Sequence, residues 1–324
     1  MKISLGSRTS GRKLLKRAIW ELIYEPQRHW PDDSYFHRRN REKLSRAWRS
    51  LEELHDRRPQ DVVQLYVDLL NQRASASTTT IYLMRNGGSG SHFMGALLDG
   101  LPEFTTTDEI YFPPDLLTEA HNSRPSEAHR VVDFINFFHT GSADQESASR
   151  IVVNIGQLRR DAPPEILRQL DPAGRFVLLL RNPYDVAVSR AFRKPEYRQQ
   201  VAPGVSDDEY LARQVSGTYS FLSFAATQRW DRIVRYEDLR SNPTAVIGDI
   251  VRELGIDFDA NLFEKVRAQH DARRKAANDD RDTPGNLNLD PPPALTDTQR
   301  AILNDGLQAL ALQYGYQAEA AYYW

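Results

Sequence analysis

Residues 81–98 constrain the fold more than any other stretch. Ile81 to Met84 form a short apolar run of strand type. Asn86 to Ser91 follow as a loop of small residues, three of them glycine. The loop then enters a helical pattern, with Phe93, Met94, Leu97 and Leu98 on one face and Asp99-Gly100 as its stop. A strand, a glycine loop and a helix in this order aim backbone N–H groups at one point, which suits a phosphate. Glycine lets the chain approach that anion closely. A tight turn with no ligand has the same pattern. The nucleoside-triphosphate version of the loop ends in Gly-Lys-Ser/Thr. Here the residues are Gly90-Ser91-His92, which argues against a triphosphatase.

The remaining chain alternates strands and helices. Residues 106–112, 150–155, 175–180 and 230–235 read as strands, the third most clearly. Helices are expected at 127–138, 163–170 and 207–227, at 242–254 behind Asn242-Pro243, and from Thr296 to about Tyr314. Residues 270–294 are polar, charged and Pro-rich, and read as a long loop. Alternation of this kind predicts a three-layer α/β fold, a mostly parallel doubly wound sheet with helices on both faces. Such sheets bind ligands at the C-terminal ends of their strands. Arg85 to Ser91, Arg181 and Tyr236 all fall there.

Residues 1–75 form a separate N-terminal segment, helical over 11–75. Residues 1–60 hold 15 Lys/Arg against 8 Asp/Glu, an excess of seven positive charges within a chain of net charge -2. The segment is either a solvated helical layer or a basic surface for an anionic acceptor, glycan or headgroup. Residues 79–316 form the main domain and 317–324 a tail. The near-neutral net charge gives no reason to expect nucleic acid. The chain has no cysteine, which excludes disulfides, thiol catalysis and thiolate metal sites. No run approaches the roughly 18–20 apolar residues of a membrane span. The reading is a soluble, cytoplasmic protein.

A second motif follows the strand at 175–180. Arg181 ends the strand, Asn182 caps a helix with Pro183 at its first position, and Ser189 lies two turns on, facing Arg181. A guanidinium and a hydroxyl so placed can clamp a phosphate. Alternatively, Arg181 pairs with Asp185 and Ser189 faces packing.

Together these residues resemble the PAPS-dependent sulfotransferase family, whose first strand leads into a Lys/Arg-Ser-Gly-Thr-Thr-like loop. A later strand in that family carries Arg-Asn/Asp-Pro-x-Asp-x-x-x-Ser, matched closely by residues 181–189. Residues 234–243, with Tyr236-Glu237-Asp238-Leu239, look like a third family segment. The resemblance spans roughly 79–316 and implies a P-loop-like nucleotide site. It implies transfer of a sulfuryl group from PAPS to a hydroxyl or amine, leaving adenosine 3′,5′-bisphosphate, with no metal. Gly88, Ser89, Gly90, Ser91 and His92 would hold the 5′ end, Arg181 and Ser189 the 3′-phosphate, and Tyr236 the adenine. Ser89-Gly90-Ser91-His92 aligns without gaps on Ser-Gly-Thr-Thr and leaves Gly88 where the family has its basic residue. Arg85 or His92 would then supply the catalytic charge. Glu109 is the first candidate for the base and His139 the second. The loop at 270–294, with Arg273, Arg274 and Lys275, would close over the nucleotide. The acceptor, a carbohydrate, lipid or small metabolite, is not specified. A non-catalytic nucleotide-binding relative and a kinase-like enzyme stay open as alternatives.

Overall fold

The structure is a computed structural model. It describes residues 79–107, 132, 151–158, 160, 163–192, 198–199, 201–279 and 294–317. The N-terminal segment at 1–75, Glu109, His139, the loop at 280–293 and most of the tail lie outside the described residues. So does the helix expected at 127–138, apart from Val132, which is helical and buried.

Five strands form one sheet in the order β2-β3-β1-β4-β5. They are β1 (Thr79–Arg85), β2 (Phe104–Thr107), β3 (Ile151–Gln157), β4 (Arg175–Leu180) and β5 (Arg232–Arg235). β2 runs parallel to β3, and β4 parallel to β5 with Val177 opposite Arg232. The described helices are α1 (Ser91–Asp99), α2 (Pro164–Leu170), α3 (Pro183–Phe192), α4 (Asp207–Ala225), α5 (Tyr236–Ser241), α6 (Pro243–Glu253), α7 (Ala260–Asp279) and α8 (Asp297–Gln313). This is the α/β architecture expected from the alternation of elements. β1 and β4 are buried almost throughout. That is why they read as continuous apolar runs rather than alternating ones.

The chain divides into two compact units. The first comprises residues 1–82 and 103–176. Its described part is held by an aromatic stack and a buried polar pair. Tyr82 stacks on Phe176 with ring centres 4.6 Å apart, and the Arg168 guanidinium lies 4.3 Å from the Phe176 ring centre. The Tyr82 hydroxyl donates to Asp171 Oδ2 at 3.0 Å, with both residues buried. Asp171 also ends α2, its N–H donating to the Leu167 carbonyl. On the β2–β3 pair, Thr107 Oγ1 donates to Val153 O and lies 3.3 Å from Asn154 Oδ1.

The second unit comprises residues 83–102 and 177–324. Its helices form two groups. α4 packs against α8 and α3, while α7 packs against α1 and α6. In the first group Tyr184, Ala187, Val188, Leu211, Val215, Leu303 and Leu307 share one apolar core. α3 is buried along nearly its whole length, as its almost uncharged sequence dictates. α8 starts with a full capping box: Thr296 Oγ1 accepts from the Gln299 N–H, and the Gln299 side chain accepts from the Thr296 N–H.

Two expectations need correction. The loop at 270–294 begins too early, because α7 continues to Asp279. Residues 272–277, Ala-Arg-Arg-Lys-Ala-Ala, are strong helix formers despite their charge. The second strand starts at Phe104, two residues earlier than expected. Its Phe-Thr-Thr-Thr sequence is β-prone, and parallel pairing with β3 decides its start.

Removing the Tyr82 hydroxyl should leave a buried carboxylate with one donor fewer. Tyr82→Phe is expected to lose about 1–3 kcal/mol of unfolding free energy, measured by urea denaturation. A loss near zero would mean that Asp171 is satisfied without it.

Candidate nucleotide-binding site

The candidate site lies entirely in the second unit, where β1, β4 and β5 end. β1 stops at Arg85, and residues 86–90 turn into α1. Ser89 closes the turn: its N–H and its Oγ both reach the Asn86 carbonyl, at 3.3 and 2.8 Å. The Ser89 N–H is thus occupied inside the loop. The N–H groups of the first turn of α1, from Ser91 onward, are those an anion would meet. Gly90 is the residue before the helix. It has no side chain to cap those groups, and its φ of 89° lies in the left-handed region.

Gly90 is fixed from outside by Tyr236, the first residue of α5. A Cβ placed on Gly90 would stand 2.3 Å from Tyr236 Cδ2. The Arg181 guanidinium lies 4.7 Å from the Tyr236 ring centre, a cation–π contact. Phe93 meets the same ring edge-on at 6.4 Å and meets His270 of α7 at 5.5 Å. Tyr236 is therefore buried among protein groups. What it visibly does is hold the loop and Arg181.

Arg181 follows β4 directly. Its Nη1 donates to the Gly88 carbonyl at 3.0 Å, and its Nη2 stands 4.0 Å from Asp185 Oδ2, one helical turn on. The Arg181–Asp185 pairing is thus present, but the stronger contact is to the loop. Ser189, buried on α3, has its Oγ 3.7 Å from where a Gly88 Cβ would be. The two halves of the second motif meet at one residue of the first.

Asn182 and Glu237 lock this arrangement. Asn182 Oδ1 accepts from the Tyr184 N–H at 3.0 Å, capping α3 as its position before Pro183 predicts. The Asn182 N–H donates to Glu237 Oε1 at 2.8 Å, tying α3 to α5. Glu237 Oε2 accepts from the Tyr316 hydroxyl at 3.2 Å. Burial, and then the Glu237 charge, push the Tyr316 hydroxyl well above the ordinary tyrosine range. It stays protonated and remains a donor at neutral pH.

The other expected residues are placed as follows. Arg85 is the buried last residue of β1. Ser91 is buried at the start of α1, and His92 next to it is exposed. Glu109 and His139 lie outside the described residues. Among the described residues, no group of three or more His, Cys, Asp or Glu side chains is placed to hold a metal ion. Likewise, no described helix is long and apolar enough to cross a membrane.

Sequence reasoning passed over Asn86, Thr218 and Arg190. Asn86 Nδ2 lies 3.4 Å from Thr218 Oγ1 of α4, and Asn86 Oδ1 accepts from Arg190 Nη1 at 2.8 Å. The signal for Arg190 is that it is the one basic residue of a mostly apolar helix, one residue past Ser189. Thr218 carries no such mark, since only the packing of α4 brings it to the loop.

The close approach at Gly90 yields a paired test. Gly90→Ala should cost about 2–5 kcal/mol, from the left-handed backbone plus overpacking against Tyr236. Gly204 has φ 75° with nothing within 4 Å of a built Cβ, so Gly204→Ala should cost only about 1–2 kcal/mol. Chemical denaturation measures both, and equal losses would mean that the Tyr236 ring moves aside freely. In a second test, the raised Tyr316 hydroxyl contributes stability that is present at neutral pH and lost above about pH 10. Tyr316→Phe should flatten that alkaline loss in a thermal-melt series. An unchanged slope would exclude Tyr316 as its source.

A family model described as a sulfotransferase domain matches residues 80–273, about three fifths of the chain. No curated protein matches closely enough to count as a relative. Among solved structures, the chain resembles retinol dehydratase in complex with androsterone and inactive cofactor PAP, at 17% identity and a TM-score of 0.36. That match covers 58% of this chain and 62% of the other, less than two thirds of its length. The sulfotransferase STF1 from Mycobacterium tuberculosis H37Rv is 14% identical, with a TM-score of 0.43 and coverage of 83% and 90%. STF9 from Mycobacterium avium is 12% identical, with a TM-score of 0.46 and 97% coverage of both chains. The family model spans the glycine loop, the β4–α3 motif and the segment that opens with Tyr236, and on that match the chain belongs to the sulfotransferase family.

Proposed function

We propose that the protein is a PAPS-dependent sulfotransferase acting on a hydroxyl or amine of a carbohydrate, lipid or small metabolite. The observation that carries this reading is the meeting of Arg181 and Ser189 with the loop at Gly88. A phosphate-reading pair and an anion-binding loop are thereby brought to one place. The residues fit an adenosine 3′,5′-bisphosphate. Its 3′-phosphate suits Arg181 and Ser189, and its 5′-phosphate suits the N–H groups at the start of α1 with Arg85 nearby.

PAPS supplies the activated sulfuryl group: the acceptor atom bonds to sulfur in line as the bond from sulfur to the phosphate oxygen breaks, and the electron pair stays on that oxygen. The protein's part is to position the reactants and to neutralise that oxygen. Gly90 and Tyr236 fix where α1 begins, and so where its N–H groups aim. Arg181 lies over the Tyr236 ring and donates to the Gly88 carbonyl. The acceptor's proton passes to a base, for which Glu109 and His139 remain the candidates. His92, exposed in the first turn of α1, would serve as a further donor. One observation favours binding without turnover: loop position 88 is glycine and brings no charge of its own.

Calorimetric titration with adenosine 3′,5′-bisphosphate tests the reading, with ATP and adenosine 5′-phosphate as controls. Selective binding of the bisphosphate is expected. Arg181→Ala should weaken it about 10- to 100-fold, as expected for charged hydrogen bonds. Ser189→Ala, which leaves the Arg181–Gly88 contact in place, should weaken it about fivefold. Preference for ATP, or unchanged affinity in both variants, would overturn the assignment.

A further inference from the structure

The loop from Asn86 to Ser91 has no charged side chain of its own, yet two guanidinium groups reach it from outside. A Cβ built on Gly87 would lie 3.8 Å from Arg85 Nη1 and 3.8 Å from Arg190 Nε. The two groups therefore stand within twice that distance of each other. Arg190 also borders the next residue, its Cγ lying 3.7 Å from a Cβ built on Gly88.

Arg190 is held there by a chain of contacts. Its Nη1 donates to Asn86 Oδ1 at 2.8 Å, and the Asn86 amide lies 3.4 Å from Thr218 Oγ1. A Cβ built on Gly217, in the middle of α4, would be 3.9 Å from Arg190 Nη1. The guanidinium thus lies between the loop and a helix surface without a side chain. Arg85 is almost fully buried, whereas Arg190 is only partly buried, and Gly88 beside it is exposed. Of the two cations, Arg190 is the more exposed. A fork of N–H donors beside a two-glycine backbone suits the oxygens of a phosphate.

We propose that Arg190 is the residue that supplies the positive charge missing at Gly88, binding the phosphate at the 5′ end of the nucleotide. This rests on the sulfotransferase reading above. In the transfer, the bond from sulfur to the bridging oxygen breaks and its electron pair stays on the phosphate. The acceptor atom takes the sulfur and gives its proton to the base. Arg190 neutralises the charge gathering on the phosphate oxygen and neither gains nor loses a proton. The cation then comes from α3 rather than from the loop, one residue beyond Ser189.

Two probes separate the ends of the nucleotide. Adenosine 3′,5′-bisphosphate carries the 5′-phosphate and adenosine 3′-monophosphate lacks it. Arg190→Ala should weaken the first by about 10- to 100-fold in calorimetry and leave the second nearly unchanged. Arg190→Lys should keep most of the preference for the bisphosphate. Arg190→Gln, which keeps the stem and a donor for Asn86, should lose it. Equal losses for both nucleotides would overturn the proposal, since Arg190 would then read the 3′ end or merely hold the loop. An unchanged bisphosphate affinity would overturn it too. Should Arg190→Ala not fold, the comparison of Lys with Gln decides, and equal behaviour of the two counts against. Wild-type protein that binds neither nucleotide would remove the nucleotide site and this role together. Wild-type protein that binds both, with Arg190→Ala unchanged, would remove Arg190 alone.

Discussion

The contact between Gly90 and the Tyr236 ring sets the geometry of the site. It brings the segment after β1 against the segment after β5 more closely than any side chain at position 90 would allow. Arg181, arriving from the end of β4, lies over the same ring and reaches on to the Gly88 carbonyl. Three strand ends are thereby pinned to one another through one aromatic ring. The left-handed backbone at Gly90 follows from the same demand, because the chain must turn sharply to begin α1 just past the ring.

Around that contact several polar groups hold one another in place. Asn182 caps α3 and donates to Glu237, and Glu237 accepts from Tyr316. Asn86 links Arg190 to Thr218. Each is a buried or half-buried group with a partner, as the low dielectric of the interior requires. Groups already fixed need no reorganisation when charge develops during a reaction.

Much of this was legible in the sequence, but unevenly. β4 was read to the residue because a strand buried on both faces is an unbroken apolar run. Asn182-Pro183 and Thr296 marked their helices because capping chemistry is local. α7 was cut short because its charged residues resembled a loop, although their helix propensity is high. Tyr236 is expected from the sequence to rest against a nucleotide base; the structure places it directly after β5 with Gly90, Arg181 and Phe93 around its ring. Position along the chain says where a ring lies, and only packing says what covers its faces.

By itself the sequence determined most element types, the order of the glycine loop and the β4–α3 motif, and the family to which they belong. Those properties are written in local patterns: apolar runs, caps, glycines and spacings within one helix. The tertiary structure decided which residues meet. Asn86 and Thr218 are 132 positions apart, and Arg181 and Gly88 are 93 apart, so no local pattern could pair them. It also decided that charge reaches the loop from a neighbouring helix, through Arg190, because α3 packs its second turn against residues 87 and 88.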